Sequence, residues 1–267
     1  NAMEHFVEFQ DVCKYYQTGS VKIAAADHMN FYVDKGEFCI IVGPSGAGKT
    51  TFFNLCSGTY KETSGQILFD GRDITNLPPE EVAKLGIVRT FQNIKLFKYL
   101  SVLENVTVGC HIHTRTNVLD ALLHTPRYRQ DEEYATQQAA KVLEEVGLTE
   151  YKDWKAGNLP YGLQRKVEIA RALAANPKIL LLDEPAAGMN PAETWSLLEF
   201  IQRINKSGHT IVVIEHDMKF VMNLCDYIMV LSFGEKICEG TPDVVKNDKK
   251  VQEAYFGRGT IQKSNER

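Results

Sequence analysis

Short apolar runs alternate with segments of helical periodicity along most of the chain, and this alternation predicts an α/β fold. The runs 178–182 and 210–214 are almost wholly apolar, as in parallel strands that are covered on both faces of a sheet. Similar runs at 38–42, 87–91 and 227–231 predict further strands. Apolar residues recur every three or four positions in 134–146 and 165–174, which indicates amphipathic helices.

Two other regions show period-two alternation or turn signals. Residues 6–33 alternate apolar and polar positions, and 65–71 is a short run between turn glycines, so antiparallel strands are expected there. Strands 227–231 and 235–240 flank Phe233-Gly234 and predict a closing hairpin. Asn190, Pro191 and Glu193 stand where a helix cap, a first-turn proline and a capping-box acid are expected.

Strand signals stop between 93 and 158, where helices are expected at 102–106 and 134–146. We interpret this stretch as an inserted helical subdomain, with 114–131 as a solvated loop. A helix after Leu159 is expected to begin at Gly162, and its free N–H groups would offer a second contact for phosphate.

A phosphate-binding loop directly follows the run 38–42 and precedes a helix-like segment. Glycines let backbone N–H groups turn inward, the lysine can reach the β- and γ-phosphates, and the last hydroxyl is placed to ligate Mg²⁺. This loop consists of Gly43, Pro44, Ser45, Gly46, Ala47, Gly48, Lys49 and Thr50.

Polar residues at strand ends complete the candidate site, because ligands bind at the carboxyl ends of parallel strands. Asp183 is suited to coordinate Mg²⁺, and Glu184 to polarise the water that attacks the γ-phosphorus. Gln92 can meet Mg²⁺ or that water, and His216 can donate to a γ-phosphate. Upstream, a ring at Tyr15 or Tyr16 either stacks on a purine or packs on a sheet edge.

The overall composition limits the partners and functions that are expected. The 267 residues are 44% hydrophobic with a net charge of −4, which disfavours nucleic acid as a partner. Six scattered cysteines without zinc-site spacing are interpreted as reduced core residues. No apolar run nears the roughly 20 residues of a membrane span, so any membrane role is expected to be peripheral. Residues 1–2 are interpreted as a tag remnant.

In this order, the motifs resemble the ATP-binding subunit of ABC transporters from Phe6 to about Gly257. The resemblance implies a P-loop NTPase (RecA-like) core with an antiparallel β subdomain and an inserted helical subdomain. It implies a single domain over 3–267, with 3–92 and 159–257 as the core and 93–158 as most of the helical part. The stretches 159–162, 183–191, 214–218 and 254–257 resemble the ATPase of branched-chain amino acid importers.

The same resemblance assigns roles to individual residues. It makes Tyr16 the adenine-stacking residue, extends the Walker A loop to Thr51, and makes 159–164 the signature motif, with Tyr161 and Gly162 binding a partner's nucleotide. Catalytic roles fall to Lys49, Gln92, Glu184 and His216, with Thr50, Gln92 and Asp183 at Mg²⁺.

The implied partners are membrane permease subunits, a second ABC ATPase and, indirectly, a periplasmic or surface solute-binding protein, at the cytoplasmic face of the membrane. Departures from the usual signature at Pro160, Tyr161 and Leu163 keep two alternatives open. One is a non-transport ABC ATPase, and the other is a regulatory nucleotide-binding subunit with weak hydrolysis.

Overall fold

Two β-sheets of different kinds organise the computed structural model, which describes residues 5–19, 21–113, 125–216, 221–222 and 225–256. In chain order the strands are β1 (Val7–Thr18), β2 (Val21–Val33), β3 (Phe38–Val42), β4 (Ser64–Phe69), β5 (Arg72–Asp73), β6 (Ile87–Arg89), β7 (Ile179–Asp183), β8 (Thr210–Ile214), β9 (Tyr227–Ser232) and β10 (Glu235–Gly240).

Helices connect and cover these strands. They are α1 (Lys49–Cys56), α2 (Pro79–Leu85), α3 (Val102–Cys110), α4 (Pro126–Glu145), α5 (Tyr161–Ala174), α6 (Pro191–Lys206), α7 (Pro242–Asn247) and α8 (Lys249–Phe256). Short 3₁₀ turns lie at His111–His113, Thr149–Tyr151 and Ala156–Asn158. No helix among the described residues combines the length and hydropathy of a membrane span.

The larger sheet has the order β10-β9-β3-β8-β7-β6, parallel except for the β9–β10 hairpin. Its buried strands contribute alternate side chains to two cores. Ile40, Leu180 and Val213 pack against helices α3 to α6, whereas Ile41 and Leu181 face α1 and the smaller sheet. Each such side chain stabilises the fold by about 1.5–3 kcal/mol, so this double-sided burial fixes the sheet on which the site is built.

The smaller sheet is antiparallel, in the order β2-β1-β4-β5. Phe9 from this sheet stacks on Phe52 of α1, and Phe31 meets the same ring edge-on, with ring centroids 4.6 Å and 5.3 Å away. The mixed fold with a parallel and an antiparallel sheet therefore confirms the predicted class.

Several boundaries differ from the sequence prediction. Helix α4 begins at Pro126 rather than Tyr134, because Thr125 caps it by accepting the Tyr128 N–H. Part of the predicted 114–131 loop is therefore helical, while 114–124 lies outside the described residues. Strand β6 ends at Arg89 rather than Phe91.

Helix α5 starts at Tyr161 rather than Gly162, since Pro160 at the N-cap has a fixed φ of −53°. The capping box of Asn190 and Glu193 is present as predicted. Residues 1–2, 217–218 and 257 lie outside the described residues.

Candidate nucleotide-binding site

The loop after β3 is shaped by its glycines. Gly46 and Gly48 have φ of +80° and +100°, a region that side chains with a Cβ rarely adopt. A Cβ on Gly43 would lie 2.4 Å from the Leu231 carbonyl oxygen, and one on Gly48 2.5 Å from that of Ala25. The loop thus needs glycine at 43 and 48 for close packing as well as for turning.

Lys49, the first residue of α1, folds back over this loop. Its Nζ donates to the carbonyl oxygens of Gly43 at 2.7 Å and Pro44 at 3.1 Å. Burial lowers the pKa of Lys49, while the carboxylates of Glu184, Asp183 and Glu215 act in the opposite direction. A buried ammonium among three carboxylates and a ring of N–H groups is a suitable contact for phosphate.

A cavity of about 600 Å³ opens over the loop. Glu184 and His216 lie in its wall, from the ends of β7 and β8, together with Tyr255 of α8. The remaining wall consists of Ile23, Ala24, Ala25 and all of Gly43, Pro44, Ser45, Gly46, Ala47, Gly48, Lys49, Thr50 and Thr51. The structure therefore brings together eleven predicted site residues: the nine loop residues from Gly43 to Thr51, Glu184 and His216.

Glu184 sits in a turn that aims its carboxylate. Its φ is +43°, and its N–H donates to the Ile214 oxygen of β8 at 3.0 Å. Gln92 does not line the cavity, but its Nε2 donates to Glu184 Oε2 at 3.1 Å. Two predicted residues 92 positions apart are thus in direct contact.

Asp183 is buried behind Glu184 and is paired with a residue that sequence reasoning missed. An Arg89 guanidinium nitrogen lies 2.6 Å from Asp183 Oδ2, with both side chains about nine-tenths buried. Arg89 also donates to Asn54 Oδ1 of α1 at 2.6 Å. The available signal was a single arginine in an otherwise apolar strand, which suggests a buried partner.

Glu215 is a second missed residue, at the end of β8. It is 5% exposed, and the Ala186 N–H donates to its Oε1 at 3.3 Å. Burial raises the pKa of Glu215 to about 7. The strand-end rule that selected Asp183 also applies to Glu215, so this acid was detectable from the sequence.

Tyr16 stands at the edge of the site without lining the cavity. Its ring packs edge-on against Tyr60 at 6.1 Å, and its hydroxyl meets that of Thr51, the last loop residue. Tyr15 points elsewhere and donates to Asp27 Oδ1 at 2.5 Å. Of the two candidates for base stacking, Tyr16 is therefore the one beside the loop.

Tyr161 and Gly162, at the start of α5, also lie outside this cavity. The Tyr161 hydroxyl donates to the Ala187 oxygen at 3.3 Å. No Cβ contact would occur at Gly162 within 4 Å, and Pro160 provides no side-chain cap. The start of α5 therefore has no side-chain cap, and there is room for a side chain at Gly162.

Helix α5 also holds the chain after β6, through residues that sequence reasoning missed. Arg165 is fully buried and donates to the backbone oxygens of Phe91 at 2.9 Å and Gln92 at 2.5 Å. It pairs with Glu168 at 2.6 Å, and Glu168 accepts the Lys95 N–H at 3.1 Å. Arg171 donates to the Lys95 oxygen at 2.6 Å. We call Arg165, Glu168 and Arg171 the helix clamp.

A second cavity, of about 410 Å³, lies between the helical region and the sheet. Its wall includes Phe91, Val108 and Ile112, which are 49%, 37% and 39% exposed. Two clamp residues, Glu168 and Arg171, form its floor. We call this cavity the lobe groove.

Comparison with known proteins gives consistent matches. A family model described as ABC transporter matches residues 26–187, and one described as Branched-chain amino acid ATP-binding cassette transporter matches 235–260. The high-affinity branched-chain amino acid transport ATP-binding protein BraF of Pseudomonas aeruginosa is 44% identical over 88% of this chain and 92% of its own length.

Solved structures agree with these sequence matches. The ADP conformation of MJ1267, an ATP-binding cassette of an ABC transporter, matches with a TM-score of 0.81 and 35% identity. That match covers 96% of this chain and 100% of the other. A dimeric post-hydrolysis structure of the cassette MJ0796, bound to ADP and Pi, matches at 0.72 and 29% identity over 88% and 98% of the two chains.

Proposed function

This chain belongs to the ABC transporter family of ATP-binding domains, and from that membership we propose that it hydrolyses ATP to power import of branched-chain amino acids through a membrane permease. The observation that carries the proposal is the meeting of Lys49, Glu184 and His216 around one cavity. The solute assignment is supported by the model match at 235–260 and by BraF.

The chemistry of hydrolysis follows from the geometry of these side chains. Lys49 and the loop N–H groups bind the phosphates, and Glu184 orients and deprotonates the attacking water as a general base. Gln92 holds the Glu184 carboxylate through its amide. His216, which is 63% exposed at its side chain, reaches toward the γ-phosphate.

Thr50, Asp183 and Gln92 fit a magnesium ion. Thr50 is exposed at the start of α1, and Asp183, whose Oδ2 accepts from Arg89, supplies a carboxylate, which is a hard oxygen ligand. When bound, Mg²⁺ neutralises charge that develops on the phosphates. Arg89 orients the buried Asp183 carboxylate for that role through their ion pair.

Two copies are proposed to enclose ATP between one loop and the opposite α5. The start of α5 has no side-chain cap, so the N–H groups at Tyr161 and Gly162 can donate to a γ-phosphate bound by a partner chain. The dimeric MJ0796 cassette supports this arrangement. Release of phosphate then removes the contact that favours the closed pair.

The lobe groove is the proposed docking place for a permease helix. Phe91 lies in its wall, and two further exposed aromatics, Phe97 at 52% and Tyr99 at 90% exposure, follow Phe91 in the chain. Docking there would place the chain peripherally at the cytoplasmic face of the membrane. A solute-binding protein would then act only indirectly, through the permease.

The alternatives left open by the sequence are not favoured. BraF, which this chain matches over 92% of its length, is named a transport ATP-binding protein. A regulatory subunit or a non-transport ATPase has only the altered signature in its support.

Reconstitution with the cognate permease in vesicles tests the proposal. ATP supplied to this chain should drive uptake of leucine, isoleucine and valine into the vesicles, whereas a charged amino acid should not be taken up. Phe97→Ser with Tyr99→Ser should abolish uptake but retain basal hydrolysis, and Tyr134→Ser, an exposed residue on α4, should change neither. Hydrolysis without uptake of any branched-chain amino acid would reject the solute assignment.

A further inference from the structure

Strands β1 and β2 do not pair regularly beside the nucleotide cavity. Their register shifts three times, between Phe9 and Val12, Val12 and Lys14, and Lys14 and Tyr15. Asp11 and His28 adopt positive φ of 52° and 44° at these irregularities. Such bulges redirect side chains, and are often found next to functional sites.

The irregular pairing brings three different ligand types together. The sulfur of Cys13, a carboxylate oxygen of Asp27 and a ring nitrogen of His28 all lie within 4.8 Å of one another. His28 Nε2 is 3.9 Å from Asp27 Oδ1, and the backbone N–H of His28 donates to Cys13 Sγ at 3.3 Å. Within the described ranges of the chain, no other group of three such residues is as close.

We propose that Cys13, Asp27 and His28 bind a divalent transition-metal ion, with zinc as the best fit. Tetrahedral zinc with bonds of about 2.0–2.3 Å places its ligands roughly 3.3–3.6 Å apart, so the widest gap has to close by about 1 Å. We expect rotation of the His28 ring, which is 70% exposed at its side chain, to provide that closure.

Neighbouring groups orient two of the three ligands. Asp11 Oδ1 lies 2.6 Å from His28 Nδ1, which turns Nε2 toward Asp27, as in the carboxylate–histidine pairs behind many metal ligands. Tyr15 donates to Asp27 Oδ1 at 2.5 Å and limits the rotation of that carboxylate. The fourth position faces solvent, because His28 is 70% exposed at its side chain.

The donor set selects the kind of ion. Thiolate and imidazole suit zinc and other borderline metals, whereas Mg²⁺ prefers oxygen ligands. This site is therefore chemically distinct from the proposed magnesium position at Thr50 and Asp183. It stands close to the phosphate loop, since the Asp27 N–H donates to Gly234 oxygen at 2.9 Å and the Gly234 N–H to Ala47 oxygen at 3.0 Å.

Cobalt serves as the spectroscopic probe for zinc. The full chain, stripped of metal with EDTA and kept reduced by a phosphine, is titrated with Co²⁺ without nucleotide and then with Zn²⁺. We expect one Co²⁺ per chain, a thiolate-to-cobalt charge-transfer band, visible bands of tetrahedral cobalt, and loss of all bands when Zn²⁺ displaces it. Co²⁺ bound at Thr50 and Asp183 would give no thiolate band.

Variants locate the signal at these residues. Cys13→Ser and His28→Asn should each weaken binding at least about 100-fold, and Asp11→Asn about 10- to 100-fold. Asn tolerates the positive φ at 28, so this variant keeps the backbone. Cys110→Ser, which changes another buried thiol, should leave binding unchanged.

Two results would overturn the site. One is a titration of the folded chain without a thiolate band, which would leave His28 and Asp11 as an exposed ion pair with no metal beside it. The other is an equal band in Cys13→Ser. If Cys13→Ser does not fold by circular dichroism, an unweakened His28→Asn rejects the site in its place.

Discussion

The phosphate loop and the helix clamp are both built around cations, but they are made in opposite ways. The loop is nine consecutive residues, Gly43 to Thr51, whose binding groups are backbone N–H groups and one lysine. The clamp consists of three side chains of α5, of which Arg165 and Glu168 are buried and Arg171 is partly buried, and they hold backbone 73 to 76 positions away. The loop is the proposed phosphate contact, whereas the clamp holds the backbone carbonyl of Gln92.

This difference predicts different consequences of mutation. Changes in the loop region should alter chemistry and leave the fold intact, because the sheet behind it is secured by two apolar cores. Changes at Arg165 or Glu168 should alter stability and chemistry together, since both residues are buried and both hold the chain after β6 by hydrogen bonds.

Glu184→Gln is expected to have the largest effect on chemistry. Removing the general base should lower kcat by about 10²- to 10⁴-fold, while ATP still binds and the closed dimer accumulates. Steady-state ATPase assays and size-exclusion chromatography with ATP measure both effects. Glu193→Gln, which preserves a capping residue on α6, is the matched control. Near-normal turnover of Glu184→Gln would show that Glu184 is not the general base.

Arg165→Met should lower the free energy of unfolding by about 3–5 kcal/mol, because it leaves Glu168 charged and unpaired in the core. Urea unfolding measures this loss. Lys166→Met on the same helix should cost about 1 kcal/mol or less, since Lys166 is only half-buried.

A double variant separates stability from positioning in the clamp. Arg165→Met with Glu168→Met replaces the ion pair by apolar side chains and should recover most of the lost stability. Hydrolysis should stay low, because nothing then holds the Gln92 carbonyl. Recovery of full ATPase activity together with stability would show that the clamp has only a structural role.

The same contrast explains what the sequence could predict. The loop, the acids at 183 and 184 and the capping box at 190 are local patterns, in which residue type and spacing encode the backbone. Arg165, Glu168 and Arg89 were missed because their partners are distant in sequence, and pairwise contacts of that kind have no local signature. Cys13 is a buried free cysteine, as predicted, but its closeness to Asp27 and His28 depends on strand irregularities that cannot be seen from periodicity.

Boundaries followed a similar rule. The β-hairpin at 233–234 and the cap at 190 were located correctly because a turn or a cap fixes each of them. The predicted start of α4 was eight residues too late, since the charged first two turns of the helix carry no apolar stripe. The role of each site residue and the domain limits stay predictions, supported by the contacts described above.

Glu215→Gln tests whether a buried side chain near the phosphate loop also affects the stability of the fold. Burial raises the pKa of Glu215 from 4.5 to about 7, so the folded state holds a proton that the unfolded state releases. The free energy of unfolding of the native chain should therefore fall by about 3 kcal/mol as pH rises from about 4.5 to 7. It should level off above pH 7.

The glutamine variant should lack this decline, because its amide keeps the Ala186 contact without a charge. Urea unfolding of both proteins from pH 5 to 8.5 gives the difference between their free energies of unfolding, in which the contributions of other titrating groups cancel. If this difference does not grow with pH, Glu215 is ionised in the folded state.

Two matched caps give the smallest and most selective effect. Ser101 caps α3 by accepting the Glu104 N–H at 3.1 Å, and Asn190 caps α6 by accepting the Glu193 N–H at 3.0 Å. Replacing either residue by alanine should cost about 1 kcal/mol in unfolding free energy. The two variants should differ in chemistry, because Asn190 follows the loop after Glu184, whereas Ser101 lies beyond the clamp. We expect lower ATPase activity only for Asn190→Ala, and an equal loss in Ser101→Ala would mean that the clamp does not isolate α3 from the catalytic residues.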